Sequence, residues 1–228
     1  MIITTWNMQG GTQLLYLGTL IANSNPDVIC LQECGNMTPV LAHTAPIPGF
    51  PGSLTGVYQN GNHIYHTVFW YNNVDANPRN SLAIMTRLTI NAHGIRIPIA
   101  VAPPGYQPGN PRNLPWMTVN QGGNIITIFS YHGPSAGTAN ACSYNNPQIA
   151  AINAGVMGVW SVVGDFNADP TVAAFVAPPA GAEVHGGHAT QQGGGLLDYS
   201  ITNAFGYNFV AAGMLLGASD HYPQDFSY

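Results

Sequence analysis

Gly164-Asp165-Phe166-Asn167 closes the apolar run Trp160-Ser161-Val162-Val163. An Asp and an Asn two residues apart at a strand end point to the same face. A carboxylate base and a neutral amide donor then stand side by side at the mouth of a sheet, where they can orient and deprotonate a water. The run Asp27-Val28-Ile29-Cys30-Leu31-Gln32-Glu33 delivers one carboxylate, Glu33, at its exit. A hard cation such as Mg²⁺ takes one or two carboxylates and keeps several waters, which makes Glu33 the candidate metal ligand. A solvated Glu capping a strand is the plain alternative. Thr4-Thr5-Trp6-Asn7-Met8-Gln9-Gly10-Gly11 runs as a strand into a glycine turn. It puts Asn7 and Gln9 on one side, where amides can hold a metal-bound water or a phosphate oxygen.

The β-rich segment from Asn124 ends on His132, ahead of Gly133-Pro134-Ser135. Ser219-Asp220-His221-Tyr222-Pro223 joins an acid to an imidazole, and Leu196-Leu197-Asp198-Tyr199-Ser200 sets a carboxylate in an apolar strand. A buried Asp needs a partner. Histidine is the natural one, because Asp fixes its tautomer and stabilises the imidazolium. Hydrolysis of a phosphodiester needs a metal, an oriented water and a group that protonates the leaving oxygen. This set supplies all three. Glu33, Asn7 and Asp220 would hold one Mg²⁺, with Mn²⁺ as a substitute, since oxygen ligands suit these ions better than Zn²⁺. Asp165 and Asn167 would surround the water, and His132 and His221 would flank the phosphate, one of them steadied by Asp198.

Six local patterns in this order, Trp6-Asn7-Met8-Gln9-Gly10, Leu31-Gln32-Glu33, Tyr131-His132-Gly133-Pro134-Ser135, Gly164-Asp165-Phe166-Asn167, Leu197-Asp198-Tyr199 and Ser219-Asp220-His221-Tyr222-Pro223, resemble a family. The chain looks like the endonuclease/exonuclease/phosphatase superfamily, which includes deoxyribonuclease I, and within it most resembles the catalytic B subunits of cytolethal distending toxins. Val68-Phe69-Trp70-Tyr71, Ser81-Leu82-Ala83-Ile84 and His188-Ala189-Thr190-Gln191 add similarity outside the catalytic set. The resemblance implies a DNase I-like α/β fold, a four-layer α/β/β/α sandwich with the catalytic residues at one edge. It implies that His132 and His221 are the acid/base pair, without saying which is the acid. It also implies that Arg87, closing Ala83-Ile84-Met85-Thr86-Arg87, contacts a phosphate as an arginine does in the toxins. A second basic contact of those toxins falls near Trp116-Met117-Thr118-Val119, where there is no arginine; Arg112 is the nearest stand-in.

The elements that must position these residues are legible in outline. With 228 residues and no charge run, repeat or long linker, the chain fits one domain, residues 1–228. Helical spacing covers Gln13 to Ala22 and Pro147 to Met157. Strand-like runs cover Ile64 to Tyr71, Ser81 to Thr86, Trp116 to Val119, Ile125 to Tyr131, Trp160 to Val163 and Leu196 to Thr202. The stretches Gly49 to Asn62 and Pro103 to Leu114 read as long loops. Cys30, Cys34 and Cys142 match no metal spacing; Cys30 reads as core, and Cys34 and Cys142 pair only if the fold joins them. His43, His63, His66, His93, His185 and His188 have no motif context. No apolar run is long enough to span a bilayer, and no signal peptide is visible ahead of the first strand.

Charge narrows the partners. Four arginines (Arg79, Arg87, Arg96, Arg112) and no lysine stand against nine acids, for a formal net charge of −5. Non-specific DNA binding rests on phosphate neutralisation by Lys and Arg, so a nuclease of this composition binds weakly. The missing lysines fit compositional drift, or a toxin that enters a eukaryotic cytosol and escapes ubiquitination. Three functional readings follow. One is a Mg²⁺-dependent endodeoxyribonuclease, a secreted toxin subunit carried by delivery or binding subunits and acting on DNA in the host nucleus. Another is a phosphatase of the same superfamily acting on a phosphoinositide or other phosphomonoester. The last is a non-catalytic β-rich binding module.

Overall fold

The computed structural model of the chain describes residues 1–72, 78–98, 112–135, 137–171, 178–187, 189–213 and 219–228. The strands are β1 (Ile2–Asn7), β2 (Val28–Gln32), β3 (Leu41–Pro46), β4 (Leu54–Asn60), β5 (His63–Trp70), β6 (Leu82–Thr86) and β7 (Thr89–Arg96). They continue with β8 (Leu114–Gln121), β9 (Asn124–His132), β10 (Val159–Asp165), β11 (Glu183–His185), β12 (Asp198–Thr202), β13 (Asn208–Ala212) and β14 (Gln224–Ser227). The α-helices are α1 (Leu17–Ser24) and α2 (Thr138–Gly155).

The strands form two mixed sheets, ordered β13-β14-β1-β2-β6-β5-β4-β3 and β11-β12-β10-β9-β8-β7. Three apolar layers hold them. Ile3, Val28, Val68 and Ile84 from the first sheet meet Met117, Ile126, Ile128 and Val163 from the second. Leu17, Leu20 and Ile21 of α1 cover the other face of the first sheet over Trp6, Ile29 and Leu31. Ala141, Ile149 and Ile152 of α2 cover the other face of the second over Trp160, Val162 and Ile201. Strands covered on both faces carry unbroken apolar runs, as in Val28-Ile29-Cys30-Leu31. Each fully buried large apolar side chain is worth about 1.5–3 kcal/mol, and all three layers contribute such side chains. This is the expected α/β/β/α sandwich.

Several boundaries move. The helical spacing at Gln13 to Ala22 becomes a 3₁₀ turn, Gly11–Tyr16, followed by α1. The second helix begins well before Pro147, which lies inside α2. The stretch Gly49 to Asn62 is not one loop, since β4 lies within it, and most of Pro103 to Leu114 falls outside the described residues. The three cysteines are buried and form no disulfide with one another. Cys34 and Cys142 sit in the two opposite outer layers, so they cannot meet.

β1 and β2 are parallel, as are β9 and β10. These four central strands therefore deliver their C-terminal residues to one edge of the sandwich. That edge gathers the candidate site residues.

Candidate active site

Register brings the residues together before any side chain is considered. Asp165 lies opposite His132 on β9 and opposite Asp198 on β12, so three residues more than thirty positions apart stand in one row across the second sheet. Asn7 ends β1 and pairs with Gln32, which precedes Glu33. The chain leaves these strands sharply. Gln9, Glu33 and Asn167 all adopt left-handed backbone, with φ of 49°, 48° and 51°. Such geometry costs of order 1–3 kcal/mol at a non-glycine residue and tends to gather at functional sites. Two glycines let the strands close up. A Cβ at Gly133 would lie 2.4 Å from the Phe166 carbonyl oxygen, and one at Gly164 2.0 Å from that of Tyr131, so neither position accepts a side chain.

Asp165 is the hub. Its Oδ2 accepts a hydrogen bond from Asn7 Nδ2 at 2.8 Å, and its Oδ1 accepts the Asn167 backbone N–H at 2.8 Å. His132 Nε2 lies 3.6 Å from Asp165 Oδ2 and 3.7 Å from Glu33 Oε1. On the other flank His221 Nε2 lies 4.0 Å from the same Asp165 oxygen, and His221 Nδ1 meets Asp198 Oδ2 at 2.7 Å. Asn167 Nδ2 donates to the Gly133 carbonyl at 3.0 Å, and Arg112 donates to that carbonyl too. Glu33 Oε2 receives Arg79 Nε at 2.7 Å. Asp220, at the rim, is held by the side chains of Gln9 and Gln191.

The two imidazoles are driven in opposite directions. Burial, then the nearby charges of Arg112, His221 and Arg79, push His132 well below the ordinary histidine range. Its buried Nδ1 has no hydrogen-bond partner among the described residues. Burial also works against charge on His221. Asp198, by charge and hydrogen bond, with Asp165 and Asp220, outweighs it and raises His221 to about 9. Asp165 is itself raised to about 7, by burial and by the Asp198 carboxylate. Near neutrality the site thus holds one neutral and one charged imidazole across a carboxylate that resists ionisation, an arrangement suited to moving protons.

The structure gathers Asn7, Gln9, Glu33, His132, Asp165, Asn167, Asp198, Asp220 and His221 at this edge. It does not bring Arg87 there. β6 is antiparallel to β2, with Val28 opposite Thr86, so Arg87 emerges at the far end of the sheet. There it binds Asp27 Oδ1 at 2.9 Å and Asn25 Oδ1 at 2.6 Å. The cations at the site are Arg79 and Arg112 instead. Arg79 precedes β6 and so starts at the correct end. Its signal lay in strand direction, which composition does not reveal. Thr190 is a second unforeseen contributor. Its Oγ1 accepts the N–H groups of Leu197 and Asp198 at 2.8 and 2.9 Å, fixing the carboxylate that holds His221. Ser219 Oγ donates to the Asn7 carbonyl at 2.7 Å and accepts the His221 N–H at 3.1 Å. It ties the histidine to β1.

Residues 4–221 match the model of the Endonuclease/Exonuclease/phosphatase family. The chain belongs to that family. The family is hydrolytic, of the phosphodiesterase and phosphatase class, and metal-dependent. Its fold is similar to that of Haemophilus ducreyi cytolethal distending toxin, with a TM-score of 0.70 at 19% identity over 99% of this chain and 96% of that one. The biologically active subunit of a cytolethal distending toxin gives 0.71 at 19% identity, over 99% and 96% of the two chains. A Bacteroides thetaiotaomicron mannosyl-6-phosphatase gives 0.63 at 13% identity, over 100% and 98%. A search of curated protein sequences finds no match.

The residues present fit the metal this family requires. Asp165, Asp198 and His221 have ligand atoms within 4.8 Å of one another. Asp165 is also raised by the like charge of Asp198, crowding that a cation relieves. His221 Nδ1 is already taken by Asp198; beside the Nε2 atoms of His132 and His221, the site presents the carboxylate oxygens of Glu33, Asp165 and Asp220. Such oxygens select a hard ion. No helix among the described residues is long and apolar enough to cross a membrane.

Proposed function

We propose that the protein is a Mg²⁺-dependent endodeoxyribonuclease, built like the active subunit of a cytolethal distending toxin, secreted with delivery partners and acting on nuclear DNA. The observation carrying the chemistry is the pair of imidazoles facing one Asp165 oxygen from opposite sides, at 3.6 and 4.0 Å. Glu33, Asn7 and Asp220 would hold the cation, beside Asp165. When bound, the cation neutralises charge that develops on the phosphate in the transition state. Asp165 and Asn167 orient a water, and neutral His132 accepts its proton as the water oxygen bonds to phosphorus. His221, charged because Asp198 supports it, gives its proton to the leaving oxygen as the old P–O bond breaks. Arg79 and Arg112 offer donors to the non-bridging oxygens, and Gln9 to the rim of the substrate.

The composition keeps a second reading open. Four cations against nine acids suit a small phosphomonoester, such as a phosphoinositide, better than a long polyanion, and the mannosyl-6-phosphatase shows the same fold. Supercoiled plasmid and a phosphoinositide panel, each assayed with Mg²⁺ and with chelator, separate the two. Metal-dependent nicking without phosphate release supports the nuclease, the reverse pattern supports the phosphatase, and inertness toward both sinks the hydrolytic reading.

A further inference from the structure

A second group of histidines lies away from this edge. His43, His66 and His93, on β3, β5 and β7, line one pocket of about 210 Å³, with Thr67 and Met117 among its walls. These strands lie at the same lateral side of the two sheets, so the pocket opens between the layers. His66 is opposite Thr86, the last residue of β6, and so lies toward the Arg87 end of the sheet. None of the pocket-lining residues belongs to the catalytic set.

Three strand registers converge on it. His66 precedes Val68 by two and shares its face, and Val68 belongs to the inter-sheet core. His93 is opposite Met117, which lies in that core as well, so both point between the sheets. His43 arrives by a different route. β3 is opposite β4 at Ala42 and again at Ala45, with a bulge between them. Within the bulge His43 takes a left-handed φ of 50°. Bulges re-aim side chains, and a strained non-glycine residue is a reason to look for a function at that place. Here the re-aimed side chain joins two other imidazoles.

We propose that His43, His66 and His93 bind one divalent transition cation of the Zn²⁺, Cu²⁺ or Ni²⁺ class. Among the described residues no carboxylate, arginine or lysine lines the pocket. Three neutral imidazoles with no hard oxygen anion prefer these ions over Mg²⁺, which keeps the site chemically separate from the catalytic one. Among the described residues the group with ligand atoms within 4.8 Å of one another is the catalytic Asp165, Asp198 and His221. The three pocket histidines are exposed and lie outside that spacing, so to share an ion their side chains would have to rotate inward. A bound ion ties edge strand β3 of one sheet to edge strand β7 of the other, stapling the open side of the sandwich.

The test is equilibrium dialysis of the whole chain against Zn²⁺ in excess Mg²⁺, comparing wild type with the double variant His66→Ala/His93→Ala. A parallel Cu²⁺ titration is read by electron paramagnetic resonance. Wild type should bind one more equivalent of Zn²⁺ than the variant and show nitrogen couplings that the variant lacks. Zn²⁺ should raise the melting temperature of wild type by more than that of the variant. Mg²⁺-dependent hydrolysis should be the same in both. Equal stoichiometry, or equal nitrogen couplings, overturns the proposal. If the double variant does not fold, His66→Gln and His93→Gln singly replace it: each should lose the extra equivalent of Zn²⁺, and retention of it in both overturns the proposal.

Discussion

Two arginine–carboxylate pairs stand at opposite ends of the antiparallel β2–β6 ladder: Arg79 on Glu33 at one end, Arg87 on Asp27 at the other. By charge and distance they are alike, at 2.7 and 2.9 Å, and their surroundings separate them. Asp27 spends its second oxygen on the Ile2 N–H at 2.8 Å, and Arg87 spends its remaining donors on Asn25. That end is a closed knot that pins the entries of β1 and β2. Glu33 keeps its second oxygen turned toward His132, 3.7 Å away, beside a carboxylate and a second imidazole. An ion pair is structural where both partners exhaust themselves on the framework. It can serve chemistry where one partner keeps a donor or acceptor directed at a titratable cluster.

The largest effect should fall at the Glu33 end. Asp165→Asn should lower turnover by about 10²–10⁴-fold, because the amide neither orients water as a carboxylate does nor supports His132 and His221. The same change should leave the melting temperature unchanged or raise it, since burial and Asp198 already make that carboxylate reluctant to ionise. Chelator should abolish hydrolysis and Mg²⁺ restore it. If activity and stability fell together in Asp165→Asn, this end too would be framework and the contrast would vanish.

Arg79→Ala comes next. Charge-assisted hydrogen bonds are worth about 1.5–3 kcal/mol, so kcat/KM should drop roughly ten- to a hundred-fold. Steady-state kinetics on whichever substrate is cleaved decides it. A loss confined to KM would make Arg79 a binding contact, and no loss would return it to the surface.

The choice between these arginines marks the limit of what is legible in the residues. Asp165, Asn167, His132 and Asp198 can be read because each ends or begins an apolar run, and register then aligns them. Arg87 also ends such a run. Its strand travels away from the site, and direction is a property of pairing, which depends on β5 and β2 together. Arg79 and Arg112 stand outside the strands, where no periodicity marks them. Thr190 is visible only as part of a resembling segment, because its task, receiving two backbone N–H groups, leaves no pattern in composition. β3 and β7 escape a reading of the sequence since their faces are largely exposed and lack the continuous apolar signal of the central strands.

Protonation separates the two ends a third way. In chelator, folded His221 holds its proton up to about 9, against 6.5 for the unperturbed group. Between those values the unfolded chain has released a proton that the folded chain retains, so stability falls as pH rises through that window and is fully present below 6.5. The loss should amount to roughly 3 kcal/mol, read as a falling melting temperature between pH 6.5 and about 9. In Asp198→Asn the imidazole loses its main support, and this slope should flatten. A slope as steep as that of wild type would mean that the pH dependence arises elsewhere.

The smallest effect on activity should come from Arg87→Ala, the variant that tests the structural end directly. The guanidinium binds Asp27 and both the side chain and the carbonyl of Asn25, and Asn25 is the left-handed residue closing α1. Removing it leaves Asp27 with the Ile2 N–H and loosens the turn that starts β2. With about a third of the arginine side chain exposed, part of each bond is returned to water, so the cost should be about 1–2 kcal/mol. For a chain of this size that is roughly 2–8 °C in melting temperature. Catalytic efficiency should stay within about twofold of wild type when assayed well below the transition. The pair Arg79→Ala and Arg87→Ala then forms a crossed result, one losing rate and the other losing stability. If Arg87→Ala lost rate at full stability, the far end of β6 would be coupled to the chemistry, and strand direction would be the wrong guide to which arginine matters.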